Sequence, residues 1–163
     1  MKIKLFLLII VLLILTVEKG NAQQCLPGGC TNFINPYPAG TFSTTSSSWS
    51  VVNGSNAMNA GNYTLFSVTS GNTYEWSYCE SYGGISTAWD AQITLFNNSN
   101  LASPLCFSTD FCGTNGNAPY ISWTANFTGT VRILTTAYNA GGCKTNTGSP
   151  YNRLVWRQSA SGV

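Results

Sequence analysis

The sequence predicts an all-β fold, an antiparallel β-sandwich of jelly-roll type with about seven to eight strands, stapled by disulfides. Three observations predict it. Short runs alternate apolar and polar side chains with period two, as in Tyr74, Trp76 and Tyr78, and clusters of Gly, Asn and Ser separate them. Charged residues make up only 7% of the chain, so hydroxyls and amides must carry solubility, and these favour turns and strand faces over helices. Aromatic residues reach 13%, far above what a disordered linker carries.

The chain opens with Lys2 and Lys4, followed by an apolar run from Leu5 to Val17 and then Gly20, Asn21 and Ala22. This is the charged, apolar and small-residue order of a secretory signal, with cleavage expected after Ala22. The apolar run is shorter than the roughly 20 residues a membrane-spanning helix needs. Gln24 before Cys25 speaks against lipid attachment, which requires a small residue there. The mature chain is therefore expected to be secreted or held at the cell surface, without membrane insertion.

Cleavage removes Lys2, Lys4, Lys19 and Glu18. Arg132, Lys144, Arg153 and Arg157 then stand against Glu75, Glu80, Asp90 and Asp110, four against four, so the net charge of +2 belongs to the precursor. A neutral, sparsely charged surface has no electrostatic footprint for nucleic acid or acidic lipid. About 141 residues remain, enough for one domain with a sizeable core.

Cys25, Cys30, Cys79, Cys106, Cys112 and Cys143 all follow the cut. With no histidine and no CxxC pair, an even count in an exported chain reads as three disulfides rather than a zinc site. Sequence does not choose among the connectivities. Proximity along the chain favours Cys25–Cys30 and Cys106–Cys112, leaving Cys79–Cys143.

Residues 23–40, rich in Cys, Pro and Gly, are expected to form an irregular, cysteine-clipped N-terminal segment, followed by a sandwich over 41–158 and a polar tail over 159–163. The expected strands are 48–52, 63–69, 73–79, 92–96, 120–126, 129–137 and 153–157. Ser70-Gly71-Asn72 predicts a hairpin between the second and third of these, because glycine tolerates positive φ. Phe127-Thr128-Gly129 predicts another tight turn. The expected inner faces come from Tyr74, Trp76, Tyr78, Ile93, Leu95, Ile121, Trp123, Val131, Ile133 and Trp156.

Four stretches carry a family resemblance: 59–68 with 71–79; Trp89 to Phe96; Asp110 to Gly113 followed by Ile121-Ser122-Trp123; and Phe127 to Leu134. Their layout resembles exported β-sandwich domains of Bacteroidota that are related in style to bacterial pre-peptidase C-terminal domains. The likeness covers roughly residues 40–158 and rests on turns, aromatics and cysteines, with no catalytic signature in it. It implies an accessory module of the kind found in larger exported proteins, many of which are sorted by a C-terminal domain for type IX export. The chain would be either a stand-alone module or a piece of such a protein.

Aspartates Asp90 and Asp110 sit at expected loop–strand borders. They could join loop carbonyls and Glu80 in a calcium site, but with so few acids and no DxDxDG loop the preferred reading is that each caps a turn. Glu75 alternates with Tyr74 and Trp76, so it should face solvent opposite the aromatic side. Without histidine, and with the cysteines oxidised, a serine or cysteine nucleophile lacks its usual base, so no enzyme activity and no cofactor are expected. The better candidates are aromatic residues in or near polar loops: Trp89, Tyr82, Trp49 and Tyr138. Flat rings stack on the apolar faces of sugars while neighbouring amides bond the hydroxyls. The function expected is extracellular binding or adhesion, with a glycan or a protein surface as partner. A structural spacer that stabilises a larger exported protein is the alternative.

Overall fold

Alternation on the strand Thr73–Ser77 turns Tyr74 and Trp76 to one side, and across the ladder Trp76 lies opposite Ile121 on one neighbour and Trp156 on the other. This row of apolar side chains forms half of a sandwich core. The computed structural model describes residues 25–52, 58–86, 89–112, 118–139, 142–145 and 152–159. The expected signal segment 1–22 and most of the tail lie outside the described residues.

Ten strands run in chain order: β1 Asn35–Phe42, β2 Ser50–Val51, β3 Asn62–Val68, β4 Thr73–Ser77, β5 Ala91–Asn97, β6 Cys106–Ser108, β7 Tyr120–Thr124, β8 Gly129–Asn139, β9 Gly142–Lys144 and β10 Val155–Ser159. One sheet has the order β1-β3-β8-β5-β6, with β9 on the end of β8; the other has the order β2-β10-β4-β7. Every pairing is antiparallel except β1 with β3, which is parallel. The all-β antiparallel sandwich expected from the sequence is the fold. The strands not anticipated are β1, β6 and β9, which are proline-containing or only three residues long and lack a readable alternation.

The hairpin expectation needs correction. β3 and β4 flank Ser70-Gly71-Asn72 but do not pair; β3 belongs to the larger sheet and β4 to the smaller. The turn at Gly71, with φ of +88°, carries the chain between sheets. The turn from β7 to β8 crosses back in the same way. The two crossings bond each other: the Gly71 amide donates to the Ala125 carbonyl and the Ala125 amide to the Asn72 carbonyl. A tight-turn signal reports a reversal of direction but not the sheet in which the next strand finds its partner.

All but one of the residues expected inside are buried between the sheets; Trp123 packs against them from the margin. Phe66 from β3 joins the layers, with its ring centroid 4.6 Å from Trp156 and 5.6 Å from Trp76. Tyr78 is wholly buried, and its hydroxyl lies 2.9 Å from that of Thr135 on β8. Burial pushes the Tyr78 hydroxyl pKa far above the ordinary tyrosine range, so it stays protonated.

The larger sheet is also covered on its outer face. Phe96, Leu134 and Cys30 form a second buried cluster with Phe33, Tyr63, Leu101 and Cys143 around it. Residues 25–34 lie over this face. The Cys30 amide donates to Gln92 Oε1 at 3.2 Å and Thr94 Oγ1 at 3.1 Å, and Leu26 exchanges both backbone bonds with Phe107. Gly29 passes so close that a Cβ there would stand 2.7 Å from Thr94 and Phe107, which explains the glycine. Arg132 lies over Tyr63 and Phe33, at 3.9 and 4.9 Å from the ring centroids, and bonds Asn98 Oδ1.

The cysteines pair as Cys25–Cys106, Cys30–Cys143 and Cys79–Cys112, not as neighbours along the chain. The physical reason is the overlying segment. Cys25 and Cys30 are spent stitching it to β6 and β9, so neither is left to close a local loop.

The Cys30–Cys143 bridge spans 113 residues of sequence, and chain-entropy reasoning gives it about 5 kcal/mol of stability. Replacing both by alanine should lower the denaturant-unfolding free energy by about that amount and raise dye binding at the uncovered Phe96 and Leu134. Peptide mapping under non-reducing conditions should recover the three long-range pairs; a Cys25–Cys30 peptide would contradict this arrangement.

Candidate ligand-binding site

The antiparallel registers bring the ends of β4, β6 and β8 together with the starts of β5, β7 and β10. The loops at this end carry most of the aromatic and acidic residues picked out above. The Cys79–Cys112 disulfide ties the segment after β4 to the segment after β6.

Beside these loops, the outer face of the smaller sheet holds an ionic and aromatic cluster. Glu75 on β4 lies directly across from Arg157 on β10. Arg157 donates its Nε–H to Glu75 Oε2, and the Tyr120 hydroxyl donates to Glu75 Oε1. Alternation does turn Glu75 away from Tyr74 and Trp76, but it does not face solvent as expected: its relative exposure is 7%. Ser77 and Val155 on the same face are likewise buried. The groups bonded to Glu75, Tyr120 and Arg157, come from the neighbouring strands β7 and β10, which a single-strand reading does not see.

Trp49 and Tyr82 stack with centroids 4.6 Å apart and planes 14° apart. Tyr82 ends a short 3-10 turn, Glu80–Tyr82, which Gly83 closes at φ +87°. Tyr120 lies 5.7 Å from Tyr82 and 6.4 Å from Trp49, and Phe111 stacks on Tyr120 at 4.7 Å. The Arg157 guanidinium sits 4.6 Å from the Trp49 centroid and donates from Nη1 to the Ser47 carbonyl at 3.3 Å. Burial, then the hydrogen bond to Glu75, pushes the Tyr120 hydroxyl pKa far up, while Arg157's own hydrogen bond to Glu75 holds it above the ordinary arginine value.

Of the four aromatic candidates, then, Trp49 and Tyr82 are in ring contact. Trp89 is half-buried and packs against the main core, and its carbonyl accepts from Asn152 Nδ2 at 3.4 Å. Tyr138 is 43% exposed on β8, and its amide donates to the Asp90 carbonyl at 2.8 Å. Sequence reading missed Tyr120, Phe111 and Arg157 as members of the cluster. The available signal was that Glu75 and Arg157 both occupy outward positions on alternating strands.

Asp90 and Asp110 are brought close enough that the charge on Asp110 adds to burial in raising the Asp90 carboxyl pKa. Neither caps a turn as expected: among the described residues neither carboxylate accepts a backbone N–H, and Asp90 Oδ1 is buried without a partner. Asp110 and Glu80 are exposed. Among the described residues no group of three or more His, Cys, Asp or Glu side chains could hold a metal ion.

Residues 53–155 match the family described as Domain of unknown function (DUF8695). The chain belongs to this family. No curated protein matches this DUF8695 chain. Its structure is similar to the crystal structure of the pre-peptidase C-terminal domain of collagenase from Bacillus anthracis, with a TM-score of 0.41 and 12% identity over 77% of this chain and 95% of that one.

Because the folded state holds the Asp90 proton more tightly than the unfolded chain does, this group costs stability as pH rises above the ordinary aspartate value of 3.8. Asp90→Asn should therefore raise the melting temperature at pH 7, with the gain shrinking as pH falls toward 4. A loss of stability at pH 7, measured by calorimetry, would show that the carboxylate has a favourable partner.

Proposed function

We propose that this domain is an extracellular, non-catalytic binding module, exported by the segment 1–22, and that its ligand is a carbohydrate held across Trp49 and Tyr82. One observation carries the reading: a stacked, half-buried ring pair, with an arginine and a tyrosine cluster around it, stands outside the core, where it fills no space between the sheets. Half-exposed rings with a few polar groups converging on them are what a sugar-binding surface requires. Tyr138 and Trp89, at the same end of the sandwich, would form its margin. Three disulfides are consistent with an extracellular setting. The chain has no histidine, and all six cysteines are paired, so the common nucleophile–base arrangements are lacking.

A second reading is favoured by the buried state of Glu75, Ser77 and Val155: the rings serve as a cover for this face, and the domain is a spacer that stabilises a larger exported protein. A glycan array with and without EDTA, followed by Trp49→Ala, separates the two. Binding should appear, be indifferent to chelator, and weaken at least about tenfold in Trp49→Ala, with a melting temperature within a few degrees of wild type. No bound glycan, together with a large fall in melting temperature in Trp49→Ala, would establish the spacer.

A further inference from the structure

The arginine in the ring cluster is only partly used. A guanidinium carries five N–H donors in a planar fork. In Arg157, Nε–H goes to Glu75 and one Nη1 hydrogen to the Ser47 carbonyl. Among the described residues nothing accepts from Nη2, so both of its hydrogens are available. Nor do the Trp49 indole N–H and the Tyr82 hydroxyl have a hydrogen-bond partner among the described residues. Open donors and ring surface thus converge on one small area.

The two charges there are not equally presented. The Glu75 side chain is 9% exposed and committed to Arg157 and Tyr120, whereas the Arg157 side chain is 30% exposed. Anything approaching from solvent meets the guanidinium first. Arg153, two turns of the same alternation earlier, donates from Nη1 to the Gly83 carbonyl at the close of the turn that presents Tyr82. Glu80, exposed, starts that turn.

We propose that the carbohydrate bound here is an acidic one, a pyranose carrying a carboxylate, with Arg157 Nη2 taking the carboxylate while Trp49 and Tyr82 hold the ring. The inference rests on the binding reading above and names its ligand class. Hydrogen bonds between guanidinium and carboxylate are roughly twice as strong as neutral ones, and Nη2 keeps two N–H donors for the ligand. A neutral sugar would leave that capacity unused.

The test uses the wild-type mature chain on an array of glycans carrying uronic or sialic acids beside neutral counterparts, with every hit remeasured in solution as free acid and as methyl ester. The expected result is binding to acidic glycans, weakened at least about tenfold by esterification. Raising salt from about 50 to about 500 mM should weaken the acid and leave the ester unchanged. Arg157→Lys, which keeps the charge but loses the Nη2 donors, should narrow the gap between acid and ester. If only neutral glycans bind, or acid and ester bind equally, this inference is overturned and the binding module stands. If no glycan of either kind binds, both fall.

Discussion

The packing of Phe66 against Trp156 and Trp76 is the contact on which the rest of the structure depends. It is where the larger sheet meets the smaller. A chain with so few charges and so many hydroxyl residues has little else to drive its collapse, because the polar side chains gain almost nothing over water. Burying a large aromatic side chain is worth about 1.5–3 kcal/mol by area alone, and three of them meet here. Once these rings are in place, alternation sets which residues on every neighbouring strand face inward, and hence which face outward.

The larger sheet carries a second constraint. Its outward residues Phe96 and Leu134 are apolar, so the sheet needs a cover on both faces. The segment 25–34 supplies it, and Cys25–Cys106 and Cys30–Cys143 fasten that cover to the sheet. Residues preceding the first strand are thus as much part of the core as the strands themselves. Arg132, stacked on Tyr63 and Phe33, closes the side of this layer, its long aliphatic stem and flat guanidinium serving as packing material.

The smaller sheet is treated differently. Its outer face bears a carboxylate, Glu75, which would be costly to bury alone. Arg157 and Tyr120 satisfy it, and the rings of Trp49, Tyr82 and Phe111 gather over that polar centre. This makes one face chemically varied: ring surface, a cation and hydroxyls within one patch, held by a disulfide on one side and a 3-10 turn on the other.

Much of this was legible from the residues alone. Period-two alternation on 73–79, 120–126 and 129–137 identified the strands and nearly all of the inner face, since burial of one side of a strand leaves a direct imprint on the order of side chains. The even cysteine count and the absence of histidine identified disulfides. What only the tertiary structure decided was pairing at a distance: which cysteines join, that the turns at Gly71 and Gly129 pass between sheets, and that Glu75 is covered. The candidate site divides the same way. Trp49 and Tyr82 could be picked out as loop aromatics, but their contact with Tyr120, Phe111 and Arg157 could not, because those groups come from separate strands and loops. Local pattern reflects the side of a strand a residue occupies; partners far along the chain are set by how the sheets stack, and no short window of sequence records that.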